Sequence, residues 1–234
     1  EEMDIGEYSN CCVAASIEYN MASKHPAEFV RMAAGLSSED YSVTKNLQLS
    51  DIAGKREDAL WLLEKFQLPH TLDENDNLKV TIAPDRNAII RARVQTSYRD
   101  EGERSSLDVL MQSALMNVGS QQTYNALNDT RAGVLNNSPT GLTDLEKTFT
   151  EEVVEGKAKE SVIYQALDET GRVQARSCDY QTMATQILRA LEGDNNVIVG
   201  YVNFNDDGQV VGGHEITIIG AGEAPTGDLY FVCN

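Results

Sequence analysis

The spacing of apolar residues changes partway along this chain, and that change constrains the fold more than any other feature. In "SSLDVLMQSALMNVG", Leu107, Leu110, Met111, Ala114, Leu115 and Val118 fall at i, i+3, i+4, i+7, i+8 and i+11, the spacing of one helix face. Helices are likewise expected from about Cys11 to Ala22, capped by Ser9 or Asn10, and over "PAEFVRMAAGL", ended by Gly35. Two more are expected: "SDIAGKREDALWLLEKFQLP", with Leu60, Leu63 and Phe66 on one face, and "LTDLEKTFTEEVVEG", capped by Thr143 with Glu146 three residues on. From residue 161 hairpins dominate. "SVIYQAL-DETG-RVQARS" and "NVIVGYVNFN-DDG-QVVGGHEITIIGAG" each read as two strands about a turn, "YQTMATQILRALEG" is a helix between them, and "DLYFVCN" is a last strand. The chain is therefore read as α+β, a mainly helical lobe over 1–160 and an antiparallel β lobe over 161–234, with a cleft expected between them.

The 234 residues contain no apolar run long enough to span a bilayer, and the acidic opening shows no signal peptide. A soluble protein is expected, cytoplasmic or secreted without a visible leader. The formal net charge of -18 would repel nucleic acid and anionic membranes, which sets both aside as partners. The same charge is either a solvated surface or a preference for basic substrates.

Four cysteines and three histidines, with no C-x-x-C, give poor support for a zinc site, and no metal or organic cofactor is expected. "DENDN" at residues 73–77 lacks the glycine and glutamate of a calcium loop and reads as a turn. Trp61 is expected in the core, His25 and His70 in solvent, and "YRDEGERSS" in an exposed loop. Cys178 and Cys233 read as structural. The sequons at Asn128 and Asn136 matter only in a secreted chain.

Cys11 and Cys12 lie where the first helix begins. A thiol becomes a useful nucleophile as a thiolate, which the positive end of a helix and a neighbouring imidazolium both favour. Cys11 has the first by position. His214, in "VVGGHEITIIG" on a strand, is the candidate for the second. Asn234, at the end of "LYFVCN", could orient the imidazole, with Asp228 as the fallback.

In this order and setting the residues resemble the papain-like cysteine peptidases. "SNCCVAAS" is similar to their Cys-Trp-Ala-x-Ser/Ala helix start, with Cys12 where Trp is usual and buried beside the nucleophile. "GHEITIIGAG" is similar to their Gly-His-Ala-Val-x-Ile-Val-Gly strand, and "LYFVCN" to their Tyr-Trp-x-x-x-Asn strand, one residue shorter. "LDVLMQSALMNVGS" is faintly like a helix of the calpains. The resemblance implies a two-lobed papain-like fold with a Cys11–His214–Asn234 triad. The activity it implies is thiol-dependent hydrolysis of peptide or amide bonds in a protein or peptide substrate. One departure stands out: the family's oxyanion-donating glutamine corresponds to Ile5 of "DIGEYSNC", which can donate nothing. The Cys11 N–H could still serve, but loss of one such donor costs ~10²–10³ in turnover. Either another side chain substitutes, the register differs, or the chain is a weak or silent enzyme. A deamidase or transglutaminase of toxin type and a silent binding domain are the alternatives.

Overall fold

A computed structural model describes residues 10–95, 104–132, 141, 142, 144–167 and 173–234. The architecture is α+β: seven α-helices and three small antiparallel sheets among the described residues. The chain divides into two compact units, Glu1–Ser161 and Val162–Asn234. No helix among the described residues is long and apolar enough to cross a membrane.

The first unit carries α1 (Cys12–Lys24), α2 (Pro26–Leu36), β1 (Val43–Gln48), α3 (Arg56–Phe66), β2 (His70–Leu72), β3 (Asn77–Ile82), α4 (Arg86–Gln95), α5 (Ser106–Val118) and α6 (Asp144–Glu155). Helix α5 is its axis. Ser105 Oγ accepts from the Asp108 N–H at 3.1 Å and Asp108 Oδ2 accepts from the Ser105 N–H at 3.1 Å, a reciprocal cap that fixes the first turn. Every residue of α5 from Asp108 to Val118 is buried, with α1, α2, α4 and α6 packed around it. The apolar spacing foretold one inward face; the surrounding helices enclose the polar face as well.

Local chemistry moves several expected boundaries. Cys11 itself takes the cap position of α1 and no side chain caps that helix. Asn10 instead donates from Nδ2 to the Asp129 carbonyl at 3.4 Å, and Ser9 lies outside the described residues. Helix α2 runs past Gly35, which sits in its last turn because a Cβ there would lie 2.6 Å from Val43 Cγ2. The helix expected over 50–69 is divided. Ala53 and Gly54, at φ 54° and 66°, break it between a 3₁₀ turn at Leu49–Asp51 and α3. Helix α3 buries Ala59, Leu62, Leu63 and Phe66, and leaves Trp61 51% exposed, so the core role expected of Trp61 is corrected. Phe66 stacks on Phe149 of α6 with ring centroids 4.3 Å apart. Thr143, the expected cap of α6, lies outside the described residues.

Strands β1, β3 and β2 form one sheet in that order. The "DENDN" segment is the β2–β3 turn: Asp73 Oδ1 accepts from the N–H groups of Asn75 and Asn77. On β1, Val43, Lys45 and Leu47 face inward. The buried Lys45 ammonium is answered by Glu28 at 2.8 Å and by the Val154 carbonyl near the end of α6.

In the second unit β4 (Gln165–Leu167) pairs with β5 (Val173–Arg176), and their turn lies outside the described residues. Helix α7 (Tyr180–Glu192) starts on Asp179, whose Oδ1 accepts from the Thr182 N–H at 2.7 Å. Strands β6 (Val197–Phe204), β7 (Val210–Glu223) and β8 (Leu229–Cys233) form an antiparallel sheet with β7 in the middle. Gly208 turns the β6–β7 hairpin at φ 74°.

Candidate thiol site

The main chain after α5 folds back on itself. Asn125 and Thr130 exchange backbone hydrogen bonds of 2.8 and 3.4 Å, which brings Tyr124 and Asp129 side by side. The base of α4 holds this loop: Asn87 Nδ2 donates to Asn125 Oδ1 at 2.9 Å, and Arg91 Nη1 donates to the Ala126 carbonyl at 2.9 Å. Behind it, Arg131 and Glu146 form a pair with both side chains at 0% exposure and Nη2 to Oε2 at 2.6 Å.

Held this way, the loop meets the start of α1. Cys11 is 0% exposed, and its Sγ lies 2.9 Å from the Tyr124 hydroxyl. Arg104, just before α5 and also 0% exposed, donates from Nη1 to the same sulfur at 3.3 Å. Its Nη2 donates to Asp129 Oδ1 at 2.5 Å, and the Tyr124 hydroxyl donates to that same oxygen. Sulfur, phenol, carboxylate and guanidinium therefore close a ring of contacts at the positive end of α1. The ring continues inward: Arg104 Nη1 reaches Gln112 Oε1 at 3.4 Å, and Gln112 Nε2 donates to Glu18 Oε2 at 3.1 Å.

The charges follow from the contacts. Burial pulls the Arg104 pKa down, but its acidic neighbours, Cys11 first and then Tyr124 and Asp129, outweigh it, and the pKa stands above its ordinary value. Burial first, then Cys11, pushes the Tyr124 hydroxyl well above the usual phenol range, so it remains a neutral donor. Burial and the neighbouring Asp108 carboxylate raise Glu18 well above the carboxylate range, against the opposing pull of Gln112 and Arg104. A cation and a helix N-terminus at one sulfur favour its ionised form and burial opposes it; with the phenol proton directed at Asp129, the 2.9 Å sulfur–phenol contact is donated by the Cys11 S–H.

The other expected residues are placed as follows. His214, on β7, is opposite Tyr201 of β6, and the two rings meet edge-on with centroids 5.8 Å apart. The Asn234 N–H donates to the Thr217 carbonyl at 2.9 Å, so its register on β7 is three positions from His214. Strand alternation then puts the two side chains on opposite faces, and the register does not bring Asn234 to the imidazole. The fallback Asp228 is corrected outright. It lies in the turn beyond Glu223, nine positions further along β7 than His214, and accepts from Thr226 Oγ1 at 2.6 Å. Ile5 lies outside the described residues.

All four cysteines are thiols: Cys11 buried, Cys12 and Cys178 half-buried, Cys233 exposed. Cys12 is thus less enclosed than expected. His25 is half exposed, 3.6 Å from Glu155, and the exposed His70 donates from Nδ1 to the Leu68 carbonyl at 2.7 Å. Of the "YRDEGERSS" segment, residues 98–103 lie outside the described residues. Arg104, read there as part of an exposed loop, is the most enclosed charged group at the site. Among the described residues no group of three or more His, Cys, Asp and Glu is arranged to hold a metal. A depression of about 610 Å³ lies elsewhere, on the β1–β3–β2 sheet beside Gln48, Asp51, Thr71 and Asp73, and no cysteine or histidine lines it.

Arg104, Tyr124 and Asp129 were not legible as site residues. Their contacts join segments separated by 93, 113 and 25 positions, and no local spacing records them. The one available signal was a tyrosine in a mostly polar stretch, "SQQTYNALNDT". Comparison with family profiles, with curated proteins and with solved structures finds no match to this chain.

Proposed function

We propose that this protein is a thiol-dependent hydrolase of peptide or amide bonds, with Cys11 as nucleophile and His214 as the proton carrier. One observation carries the reading: Cys11 stands at the N-terminus of α1 with the Arg104 guanidinium 3.3 Å from its sulfur. A cation and a helix N-terminus both stabilise a thiolate once it forms, and a thiolate is what nucleophilic catalysis by cysteine requires. The likeness of "SNCCVAAS" and "GHEITIIGAG" to papain-like peptidases supplies the reaction class and the papain-like two-lobed arrangement.

In this reading the Cys11 thiolate attacks the carbonyl carbon, and the carbonyl π pair moves to oxygen. As that pair returns, the C–N bond breaks and the leaving amine takes a proton from the His214 imidazolium. Water then adds to the thioester, giving up a proton to His214, and the Cys11 thiolate departs. The imidazole must reach the Cys11 sulfur during turnover. The Asn234 register leaves its orienting role without support, so the Tyr201 ring edge is the contact assigned to position His214.

The test is labelling with a peptidyl vinyl sulfone, followed by peptide mapping. The expected result is one adduct, on Cys11, abolished by His214→Ala and spared by Cys12→Ala. Exposure alone would direct the label to Cys233 first, and that outcome overturns the proposal. New termini in reacted proteins would mark a peptidase, and a +1 Da change a deamidase. A second reading, a silent binding domain, is favoured by the 0% exposure of Cys11. It predicts no Cys11 adduct at all.

A further inference from the structure

The Tyr124 hydroxyl stands between a sulfur and a carboxylate. Cys11 Sγ lies 2.9 Å from it on one side, and on the other the hydroxyl donates to Asp129 Oδ1. A phenol has one proton to give and lone pairs to receive another. With its own proton directed at Asp129, it receives the Cys11 S–H. Three groups therefore form a directed chain, S–H to Oη–H to Oδ1, and its first two members are buried.

One guanidinium serves both ends of this chain. Arg104 donates from Nη1 to the Cys11 sulfur at 3.3 Å and from Nη2 to Asp129 Oδ1 at 2.5 Å. When each proton moves one place along, negative charge leaves Asp129 and forms on Cys11 while staying in reach of the same cation. The N-terminus of α1 adds to the sulfur end, and Arg91 of α4, 3.4 Å from Asp129 Oδ2, adds to the other. Tyr124 is neutral before and after, so the raised pKa that burial gives it is no barrier. The other charged groups nearby stand outside the chain: Glu18 of α1 is joined to Arg104 through Gln112, Asp108 of α5 acts on Glu18, and Arg131 answers Glu146. A carboxylate is a weaker base than a thiolate by roughly 4–5 pKa units. The proton therefore rests on sulfur and moves only as a bond to sulfur forms.

We propose that Tyr124 relays the Cys11 proton to Asp129 as the sulfur attacks. The inference rests on the hydrolase reading above and supplies its first step, removal of the thiol proton. As the S–C bond forms and the carbonyl π pair moves to oxygen, the S–H proton passes to Tyr124 Oη and the phenol proton passes to Asp129 Oδ1. When the C–S bond breaks at the end of turnover, both protons return. His214 remains the donor to the leaving amine. Tyr124, which touches the reacting sulfur, is the catalytic residue, and Asp129 acts through it.

The experiment follows alkylation of the Cys11 peptide by iodoacetamide at pH 6.5 in the full chain, read by mass spectrometry. Iodide leaves without a proton, so this reaction reports removal of the thiol proton alone. Tyr124→Phe and Asp129→Asn each break the chain, and each is expected to slow Cys11 labelling about 10²-fold, with no further loss in the double variant. Electrostatics alone predicts the opposite sign for Asp129→Asn, because removing a negative neighbour eases ionisation of the thiol. Where a variant fails to fold by circular dichroism, the wild-type rate in mixtures of light and heavy water decides. It should fall along the curve of two protons in flight. Faster labelling of Asp129→Asn, an undiminished rate in Tyr124→Phe, or a wild-type rate that heavy water leaves unchanged or lowers along a straight line overturns the inference and leaves the hydrolase reading standing. A wild-type Cys11 that takes neither iodoacetamide nor the vinyl sulfone overturns both.

Discussion

Single residues show why a buried charge must be counted with its partner. Arg131 and Glu146 are both at 0% side-chain exposure, and Arg131 also donates to the Gly141 carbonyl at 2.7 Å. Glu146→Leu leaves the guanidinium buried beside an apolar group and is expected to cost about 3–5 kcal/mol in urea unfolding. Replacing both residues with apolar ones of similar volume should recover most of that loss. Glu28 is the titrating counterpart. Hydrogen bonding from Arg31, against burial and helped by Lys45, lowers its pKa from 4.5 to about 2. A carboxyl lowered in the folded state stabilises above its unfolded pKa and loses that contribution as pH falls from about 4.5 through about 2. Unfolding curves at pH 7, 4 and 2.5 should therefore converge for wild type and Glu28→Gln at the acid end and separate at neutral pH.

At the level of elements, the Phe66–Phe149 stack joins α3 to α6 with both rings at 0% exposure. Phe149→Ala removes a large ring from a site that cannot collapse freely and is expected to cost about 3–5 kcal/mol, read as a lower unfolding midpoint at unchanged slope. The same elements show what a sequence conveys. Helix α5 was legible because its apolar residues recur at helical spacing, and α7 because Gly193 closes it; the Asp179 cap came only with the structure. Strand β1 was not, because Lys45 occupies an inward position and breaks the apolar alternation. Helix α4 was not, because it buries Ala88 and Ala92, small residues with little pattern, while Ile90 and Val94 stay exposed. The candidate site divides similarly. Cys11 and His214 stood out as residue types, whereas Arg104 and Asp129 acquire meaning only through a loop closed by the Asn125–Thr130 bridge.

For the molecule as a whole, buried mass is unevenly shared between the two units. Among the described residues of the second, the buried ones are Ile187, Thr217 and Ile218, while the first has a continuous core from Val13 to Val154. Amide exchange reports local opening, and little buried apolar surface means easy opening. The amides of β6, β7 and β8 should exchange well before those of α5 at neutral pH, measured by mass spectrometry of the intact chain. Equal protection in both would contradict this distribution.

Helix α5 is enclosed on every side from Asp108 to Val118. A helix with no outer flank offers drift no harmless position, so divergence among relatives of this chain should be flat along α5 where it would rise and fall every three or four residues in α7. The capping pair Ser105–Asp108 lies within that constraint, and Arg104, next to it, inherits the same immobility.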